Sequence, residues 1–220
     1  TLGWRWVAGL HTRGKPYHAQ GWNIAKFTNN RFNPRTGELA EVIEGLESEE
    51  PEGLPSVTPL RNVEAPDPKR PTVLLVTEED CRLEDFDLNL LNLVGCVTLA
   101  TSHLRSPRPV SKLIEVFEQG ALRDTALRTG LNATEFRAGV PSDLARFASR
   151  AGATQIATPY IPTGPLWDWM LEAKRDLDDA GIKLVEWRRD WDGAIWPYAT
   201  AGFFKVKKQI PAILQDIGLT

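Results

Sequence analysis

The residue types that could do chemistry are concentrated at the start of the chain, where basic and indole side chains alternate. Residues 1–36 contain six Lys or Arg, three Trp, two His and no Asp or Glu. Seven Glu follow within residues 37–53, so the sign of the charge reverses abruptly. Cationic side chains interleaved with aromatic rings are typical of a surface that meets phosphates and stacks on bases, or of one that lines a flat aromatic cofactor.

Trp4 and Trp6 are the most informative residues of this segment. We predict a helix over residues 2–10, and residues two apart lie about 200° around a helix axis, so the two indoles point to different sides. Gly3 allows a flat group to approach the backbone closely. Two interpretations stay open: both rings pack in a core, or one faces inward while the other lines a ligand site.

The bulk composition is that of an ordinary globular protein. The chain has 220 residues, 42% hydrophobic and 25% charged, which suits one large domain or a domain with an appendage. Its net charge is −3, so with +6 in residues 1–36 the remainder carries −9. This balance argues against a general nucleic-acid binder but leaves a local basic patch possible. Met170 is the single methionine, and we expect the chain to be a fragment or a processed product of something longer.

The cysteines and histidines favour no metal site. Cys81 and Cys96 have no CxxC spacing and no His nearby, which predicts buried free thiols in a cytosolic protein. His11, His18 and His103 are widely spaced and fit no metal-ligand pattern. The sequence has no run of eighteen apolar residues and no leader, so we expect a cytoplasmic protein with no membrane partner.

Composition divides the chain into three zones. The basic aromatic segment covers residues 1–36, an acidic and Pro-rich linker covers 37–71, and an α/β domain covers 72–220. Within the linker, residues 38–50 are predicted to form a short helix with one apolar face. Six prolines then follow up to residue 71, and they exclude continued helix or a central strand.

From residue 72 onward, short apolar runs alternate with stretches of helical period. Strands are predicted over residues 72–77, 95–100, 134–137, 153–158 and 182–187, and helices over 110–129, 142–150, 166–180 and 210–217. This alternation predicts the α/β class, a Rossmann-like parallel sheet of about five strands with helices on both faces.

No GxGxxG, Walker loop or nucleophile elbow is present in the sequence. Because ligands of open α/β sheets bind beyond the carboxyl ends of the strands, we expect Thr77–Asp80, Thr101–His103 and Thr158–Pro165 to line any site. The last of these is explained more simply as a rigid turn with Pro165 at the first helical position.

Two carboxylate clusters and one Trp cluster have simple structural explanations. Asp80–Asp85 and Asp190–Asp192 have no His nearby, so solvated loops account for them better than acid–base or metal chemistry. Trp187, Trp191 and Trp196 surround an Arg-Arg-Asp run, and core and loop packing is the default expectation for such rings.

The first segment resembles a known family. Thr1–Tyr17, with its Trp-x-Trp-x-Ala core and final Pro-Tyr, is similar together with Asn23–Phe27 and Arg31-Phe32 to the end of the helical FAD-binding domain of DNA photolyases and cryptochromes. A weaker resemblance covers Thr72–Ala212, which is similar to the α/β domain of that family. There Val73–Asp85 resembles the first strand and the Asp-x-Arg-Leu-x-Asp loop that follows it.

The order of the two matches is reversed relative to most members, in which the α/β domain comes first. This order is similar to that of circularly rearranged photolyase-like FAD proteins of bacteria. The resemblance implies that FAD is bound largely by residues absent from this chain. It also implies that residues 1–36 are a short helical remnant of that domain. The missing N-terminal part of the domain is then a partner of this chain.

The resemblance assigns roles to individual residues. Trp4 matches the family's flavin-proximal Trp, the first link of the chain that delivers electrons to photoexcited FAD, and Gly3 lies beside it at the cofactor. Trp6 matches the indole that lines the cavity for the flipped pyrimidine pair. Asn23 and Lys26 fall near the family's DNA contacts.

The implied function is light-driven repair of damaged DNA, in which reduced FAD passes an electron to a pyrimidine dimer that splits and returns it. Two other functions stay open: a cryptochrome-like blue-light photoreceptor without repair activity, and a non-catalytic structural or interaction module. The sequence leaves an antenna chromophore unassigned.

Overall fold

The computed structural model describes residues 20–39, 59–200 and 203–219. The chain forms two compact units, Thr1–Thr58 and Pro59–Thr220. In the first unit the described residues contain one short helix, α1 (Gly21–Phe27), in which Ala25 is buried. The sequence did not predict α1, which is only seven residues long. The helix predicted over residues 2–10 and nearly all of the one over 38–50 lie outside the described residues.

The second unit is built on a parallel sheet. Its strands are β1 (Pro71–Thr77), β2 (Asn92–Ala100), β3 (Thr134–Arg137), β4 (Gln155–Pro159) and β5 (Lys183–Trp187). They lie in the order β3-β2-β1-β4-β5, and each neighbouring pair is parallel. The α/β class and the five-stranded parallel sheet predicted from the sequence are therefore confirmed, although β2 begins three residues earlier than expected.

Helices follow the strands as the sequence pattern predicts. They are α2 (Lys112–Arg128), α3 (Ser142–Arg150), α4 (Pro165–Asp179), α5 (Asp190–Ile195), α6 (Phe203–Lys207) and α7 (Ile210–Asp216). The long helices match their predicted ranges to within two residues. The short helices α5 and α6 were not predicted, because five or six residues are too few to display a helical period.

Both faces of the sheet are covered. On one face Val73 and Leu75 of β1 pack with α3 and α4, and on the other Leu74 and Val76 pack with Leu122 of α2. All four of these β1 side chains have no exposed surface. Burial on both faces explains why β1 reads as an unbroken apolar run rather than an alternating one.

Residues 59–70, called the strap here, run beside the outer edge of β5. The N–H of Glu186 donates to the Glu64 carbonyl at 2.9 Å. The buried amide of Gln155 accepts from the N–H of Asp67 at 3.2 Å and donates to its carbonyl at 2.8 Å. The strap belongs to the predicted linker 37–71, whose boundaries stay a prediction, and it shields an edge that would otherwise be open to pairing.

The strongest link between strap and sheet is the ion pair of Arg61 and Glu186. Nη2 of Arg61 lies 2.6 and 2.7 Å from the two carboxylate oxygens and 3.1 Å from the Ile161 carbonyl. The guanidinium also lies 3.5 Å from the ring centroid of Trp167 and 4.4 Å from that of Tyr160. Hydrogen bonds and stacking therefore satisfy the charge together.

Replacing Arg61 with Met should lower the free energy of unfolding by about 2 to 4 kcal/mol. The Glu186 side chain is 7% exposed, and the substitution leaves its carboxylate without a cation in a site that water hardly reaches. Urea unfolding measures this loss: the urea concentration at half unfolding should fall, while the dependence of the unfolding free energy on urea concentration stays the same.

The matched control is Lys183→Met. Lys183 also joins β5 to the strap, through Glu64 at 2.9 Å, but the two side chains are 53% and 66% exposed. The control should lose less than about 1 kcal/mol. Equal losses in the two variants would show that the Arg61 pair has no special role.

Candidate functional site

The most suitable place for a ligand is the carboxyl edge of the sheet between β1 and β4. From β1 the chain passes to β2 on one side, and after β3 it crosses to β4 on the other. The loops after β1 and β4 therefore diverge and leave a crevice at the point where the strand order reverses, the usual ligand position in doubly wound sheets.

A cavity of about 440 Å³ lies in this crevice, and aromatic side chains form much of its wall. Tyr160, which follows β4, and Trp196 have ring centroids 5.3 Å apart at an interplanar angle of 56°. Trp187, the last residue of β5, is stacked on Phe86 at 5.1 Å and 20°. The size lies within the range of small-molecule sites, and the walls suit a flat ring.

Arg189 organises the charged side of the crevice. It makes a bidentate contact with Asp80, with Nη2 to Oδ1 at 3.0 Å, and its Nε donates to Asp85 at 2.7 Å. Nη2 also donates to the Arg82 carbonyl at 2.6 Å, and the guanidinium lies 4.7 Å from the Phe86 centroid. One side chain thus holds the loop after β1 against the end of β5.

These contacts shift the pKa values of the groups involved. The hydrogen bond to Asp80 is the main reason why the pKa of Arg189 is raised. The hydrogen bond from Arg189 lowers the pKa of Asp85. Asp192 differs, because burial raises its pKa more than the nearby Arg189 and Arg188 lower it. Asp192 therefore holds its proton more tightly than an ordinary aspartate does.

The crevice is suited to binding rather than to bond chemistry. Cys81 lies at its wall, and its Sγ contacts the backbone carbonyl of Thr77 at 3.9 Å rather than a side-chain base. His103 is bonded elsewhere, with Nε2 2.7 Å from the Ala138 carbonyl. Nowhere in the described residues do three or more His, Cys, Asp or Glu form a group that could hold a metal ion.

The cavity carries an excess of negative charge. Its lining contains four carboxylates, from Glu79, Asp80, Asp85 and Asp192, against the two guanidinium groups of Arg82 and Arg189. A phosphate or another anion is therefore disfavoured inside, and a neutral or cationic ring is favoured.

A second polar cluster lies where β1 and β2 end, and it contains two carboxyl groups. Glu118 of α2 is buried and accepts from the N–H groups of Thr101 and Ser102 at 2.6 and 2.7 Å and from the Ser102 hydroxyl at 2.6 Å. Glu78 accepts from the Thr101 hydroxyl and, at 3.3 Å, from Arg105. Its second oxygen is buried with no hydrogen-bond partner among the described residues.

The two carboxyls respond to burial in opposite ways. Burial raises the pKa of Glu78, and the negative charge of Glu118 adds to the rise. Burial also acts against ionised Glu118, but the hydrogen bonds from Ser102 and Thr101 outweigh it and lower the pKa of Glu118. Of the two, Glu118 therefore ionises more readily than an ordinary glutamate and Glu78 less readily.

The structure separates the loops that the sequence grouped together. Residues from Thr77–Asp80 and Thr158–Pro165 line the crevice, but Thr101–His103 does not. Ser102 instead lines a smaller cavity of about 280 Å³ beside α2. The expectation that all three loops share one site is therefore wrong, because β2 lies on the far side of β1 from β4.

The sequence missed the residues contributed by the end of β5. Trp187 and Trp196 were expected to pack in the core or loops, and Arg189 was given no role. Asp80 was assigned to a solvated loop, although its side chain is 17% exposed and bound by Arg189. The signal was available, because the segment after β5 must also begin at the carboxyl edge of a parallel sheet. Of the two cysteines predicted to be buried, Cys96 is buried, with a pKa raised to about 12 by burial, whereas Cys81 is only half-buried.

The site residues predicted from the first segment are only partly described. Gly3, Trp4 and Trp6 lie outside the described residues. Asn23 and Lys26 lie on α1, and both are exposed. Three residues apart on a helix, they share one side of it. None of the helices that the structure describes is long and apolar enough to cross a membrane.

The carboxyl cluster predicts opposite effects for two matched substitutions. Because the folded chain holds the Glu78 proton more tightly than the unfolded chain, ionisation costs stability as the pH rises above the ordinary value of 4.5. Glu78→Gln should therefore be more stable than the wild type at pH 7, and the gain should vanish below about pH 4.

Glu118→Gln should instead lose about 1 to 3 kcal/mol at pH 7, because one amide oxygen cannot serve the three donors that the carboxylate accepts from. Urea unfolding over a pH series measures both variants. A loss of stability in Glu78→Gln at pH 7 would contradict the raised pKa of Glu78.

Comparison with known proteins adds little to this geometry. No protein-family model matches the chain, and no curated protein matches it. Among the 24 chains of solved structures that match is a cryptochrome of Synechocystis sp. PCC6803, with 16% sequence identity and a TM-score of 0.41. The alignment covers 58% of this chain and 28% of the cryptochrome chain. A likeness at this level carries no argument about family or activity.

Proposed function

We propose that this chain is part of a blue-light-driven flavoprotein of the photolyase and cryptochrome type, which repairs pyrimidine dimers in DNA by electron transfer from reduced FAD. The resemblance of residues 1–32 to the end of the FAD-binding domain supports the proposal. So does the resemblance of residues 72–212 to the α/β domain of the same family.

The structural observation that carries the proposal is the aromatic crevice at the switch point of the sheet. Tyr160, Trp187 and Trp196 offer flat apolar surfaces in a cavity of about 440 Å³. No nucleophile with an adjacent base lies in the lining, and Arg189 is occupied by two carboxylates. Such a site suits a ligand that is held without being transformed, as a light-absorbing ring is.

The charge of the lining narrows the chemistry of that ligand. Four carboxylates against two guanidinium groups disfavour a phosphate within the cavity. We therefore propose that a neutral or cationic heterocycle occupies it, and that any anionic part of the ligand remains in solvent.

The first segment supplies the groups for DNA and FAD in this proposal. When bound, FAD supplies the light-driven transfer of one electron to the pyrimidine dimer and its recovery after the dimer splits. Trp4 donates electrons towards the flavin, with Gly3 beside it, and Trp6 stacks on the lesion. The +6 charge of residues 1–36 attracts the phosphate backbone, and Asn23 and Lys26 are exposed on α1 to meet it.

Two assays on the full-length protein test the proposal. The proposal expects a flavin absorption band in the purified protein and loss of dimers from damaged DNA under blue light. Photoreduction of the flavin without repair would make the protein a photoreceptor. Absence of flavin would overturn the proposal in favour of an interaction module.

Trp4→Phe in the full-length protein should slow photoreduction of FAD at least about tenfold, because the phenyl ring is a much poorer electron donor than indole. Transient absorption after a blue-light pulse measures the rate. The matched control is Trp22→Phe, which makes the same change at an indole that is 64% exposed on α1. An unchanged rate in Trp4→Phe removes Trp4 from the electron path.

Trp196→Ala should weaken binding of the heterocycle proposed for the crevice by about 0.5 to 1.5 kcal/mol, the usual contribution of one aromatic contact. This heterocycle is a chromophore distinct from the flavin. The measurement is the absorption of the purified protein after the flavin contribution is subtracted. Trp191→Ala is the control, since Trp191 is 46% exposed and lies outside the cavity lining. If both variants keep the same spectrum as the wild type, the crevice does not hold the chromophore.

A further inference from the structure

The outward face of α2 exposes large apolar side chains that no packing within the unit requires. Leu113, Phe117 and Leu127 are 82%, 78% and 79% exposed, and Val116 is 55% exposed. The opposite face carries the buried residues of the helix, including Leu122. A solvated helix face normally carries polar residues, so several large apolar groups on one side of α2 mark an interaction surface.

Gly120 lies in the middle of this face and is costly there. Glycine weakens a helix interior relative to alanine, because it loses more backbone freedom on folding. The described residues give no reason for it, since a Cβ at Gly120 would meet no atom within 4 Å beyond its own stretch of helix. A glycine on an exposed apolar face fits a site where a second backbone approaches closely.

The spacing of the face is symmetric about Gly120. Leu113 lies seven residues before it and Leu127 seven residues after it. Seven residues are close to two helical turns, so the three positions fall on a single stripe, with the two leucines about 10 Å on either side of the glycine.

We propose that this face is the contact surface of a symmetric dimer, in which the α2 helices of two copies of the chain pack antiparallel and cross at Gly120. A two-fold axis at the crossing point brings each residue opposite the one equally distant on the other side of Gly120. Leu113 of each copy then contacts Leu127 of the other, which gives two equivalent contacts. Because Gly120 at the centre has no side chain, the two helices can approach closely.

The same symmetry pairs Phe117 with Arg123 of the second copy. Arg123 is held by Glu135 through two hydrogen bonds of 2.6 and 2.9 Å, which fix the plane of its guanidinium. One face of that guanidinium remains available to stack on a ring. The aromatic side chain at the edge of the stripe therefore has a cationic partner already in place.

The helix dipoles favour the antiparallel orientation. The symmetry sets Asp124 opposite Val116 and Lys112 opposite Arg128, and both charges are already paired within their own chain, Asp124 with Arg128 and Lys112 with Glu115. A parallel pair would set Asp124 against Asp124 and Arg123 against Arg123, and it would align the two helix dipoles unfavourably. Arg128, which comes opposite Lys112, is directed to Asp124 and Glu84 of its own chain.

A second copy explains the spacing better than an unrelated partner does. A different protein would need an apolar stripe on α2, but not one with equal leucines at equal distances from a central glycine. Self-complementarity of this kind is the requirement of an isologous interface.

The test is the mass of the full-length protein in sedimentation equilibrium across micromolar concentrations. The wild type should reach twice the mass of its monomer. Gly120→Leu should raise the dimer dissociation constant at least about tenfold, because its side chain holds the helices apart. The same variant should not lower the thermal midpoint of the dilute monomer, since leucine favours a helix and the space around a Cβ at this position is open to 4 Å.

A pair of matched charge substitutions locates the surface. Phe117→Asp should yield a monomer, whereas Phe204→Asp, at a ring 75% exposed on α6, should dimerise as the wild type does. A wild type that remains monomeric at every concentration overturns the proposal, as does a Gly120→Leu chain that dimerises with wild-type affinity. Loss of the dimer in Phe204→Asp but not in Phe117→Asp would also overturn it, because the interface would then lie on another face.

Discussion

Burial of β1 on both faces confines charged residues to the two ends of the strand. Val73 to Val76 have no exposed surface, and three acidic residues, Glu78 to Asp80, follow Thr77. Because all five strands are parallel, the segments after the other strands emerge at the same edge. Strand direction therefore places the carboxylates, the aromatic side chains and the arginine of the crevice at this edge. Contacts between the side chains then fix the details of the site.

The charges gathered at this edge are stabilised in three different ways. Asp80 is neutralised by a guanidinium, which brings its charge from the end of β5. Glu118 is stabilised by backbone N–H groups, which carry no net charge. Glu78 has neither in full, and its pKa is raised accordingly. Ionisation of Glu78 therefore opposes folding, and so does ionisation of Asp192, whose pKa is also raised by burial.

The secondary-structure elements could be predicted from the sequence, but the contacts between them could not. Apolar runs and helical stripes are formed by residues close together in the chain, so β1 and α4 were predicted nearly to the residue. The pair of Arg189 and Asp80 joins positions 109 apart, and no local pattern reveals it. The strap was predicted as linker because its prolines exclude helix and central strand, but a segment beside a sheet edge needs neither. Trp4 and Trp6 rest on resemblance alone.

The end of α2 connects the two surfaces of the unit. Arg128 donates to the Cys81 carbonyl at 2.8 Å and pairs with Glu84, so the last turn of the helix holds the loop that forms one wall of the crevice. Asp124, one turn earlier on the outward face, accepts from the same Arg128 at 2.7 Å. A contact that fixes Asp124 therefore limits the freedom of Arg128 as well. The dimer contact proposed for α2 and the ligand site proposed between β1 and β4 therefore have this arginine in common.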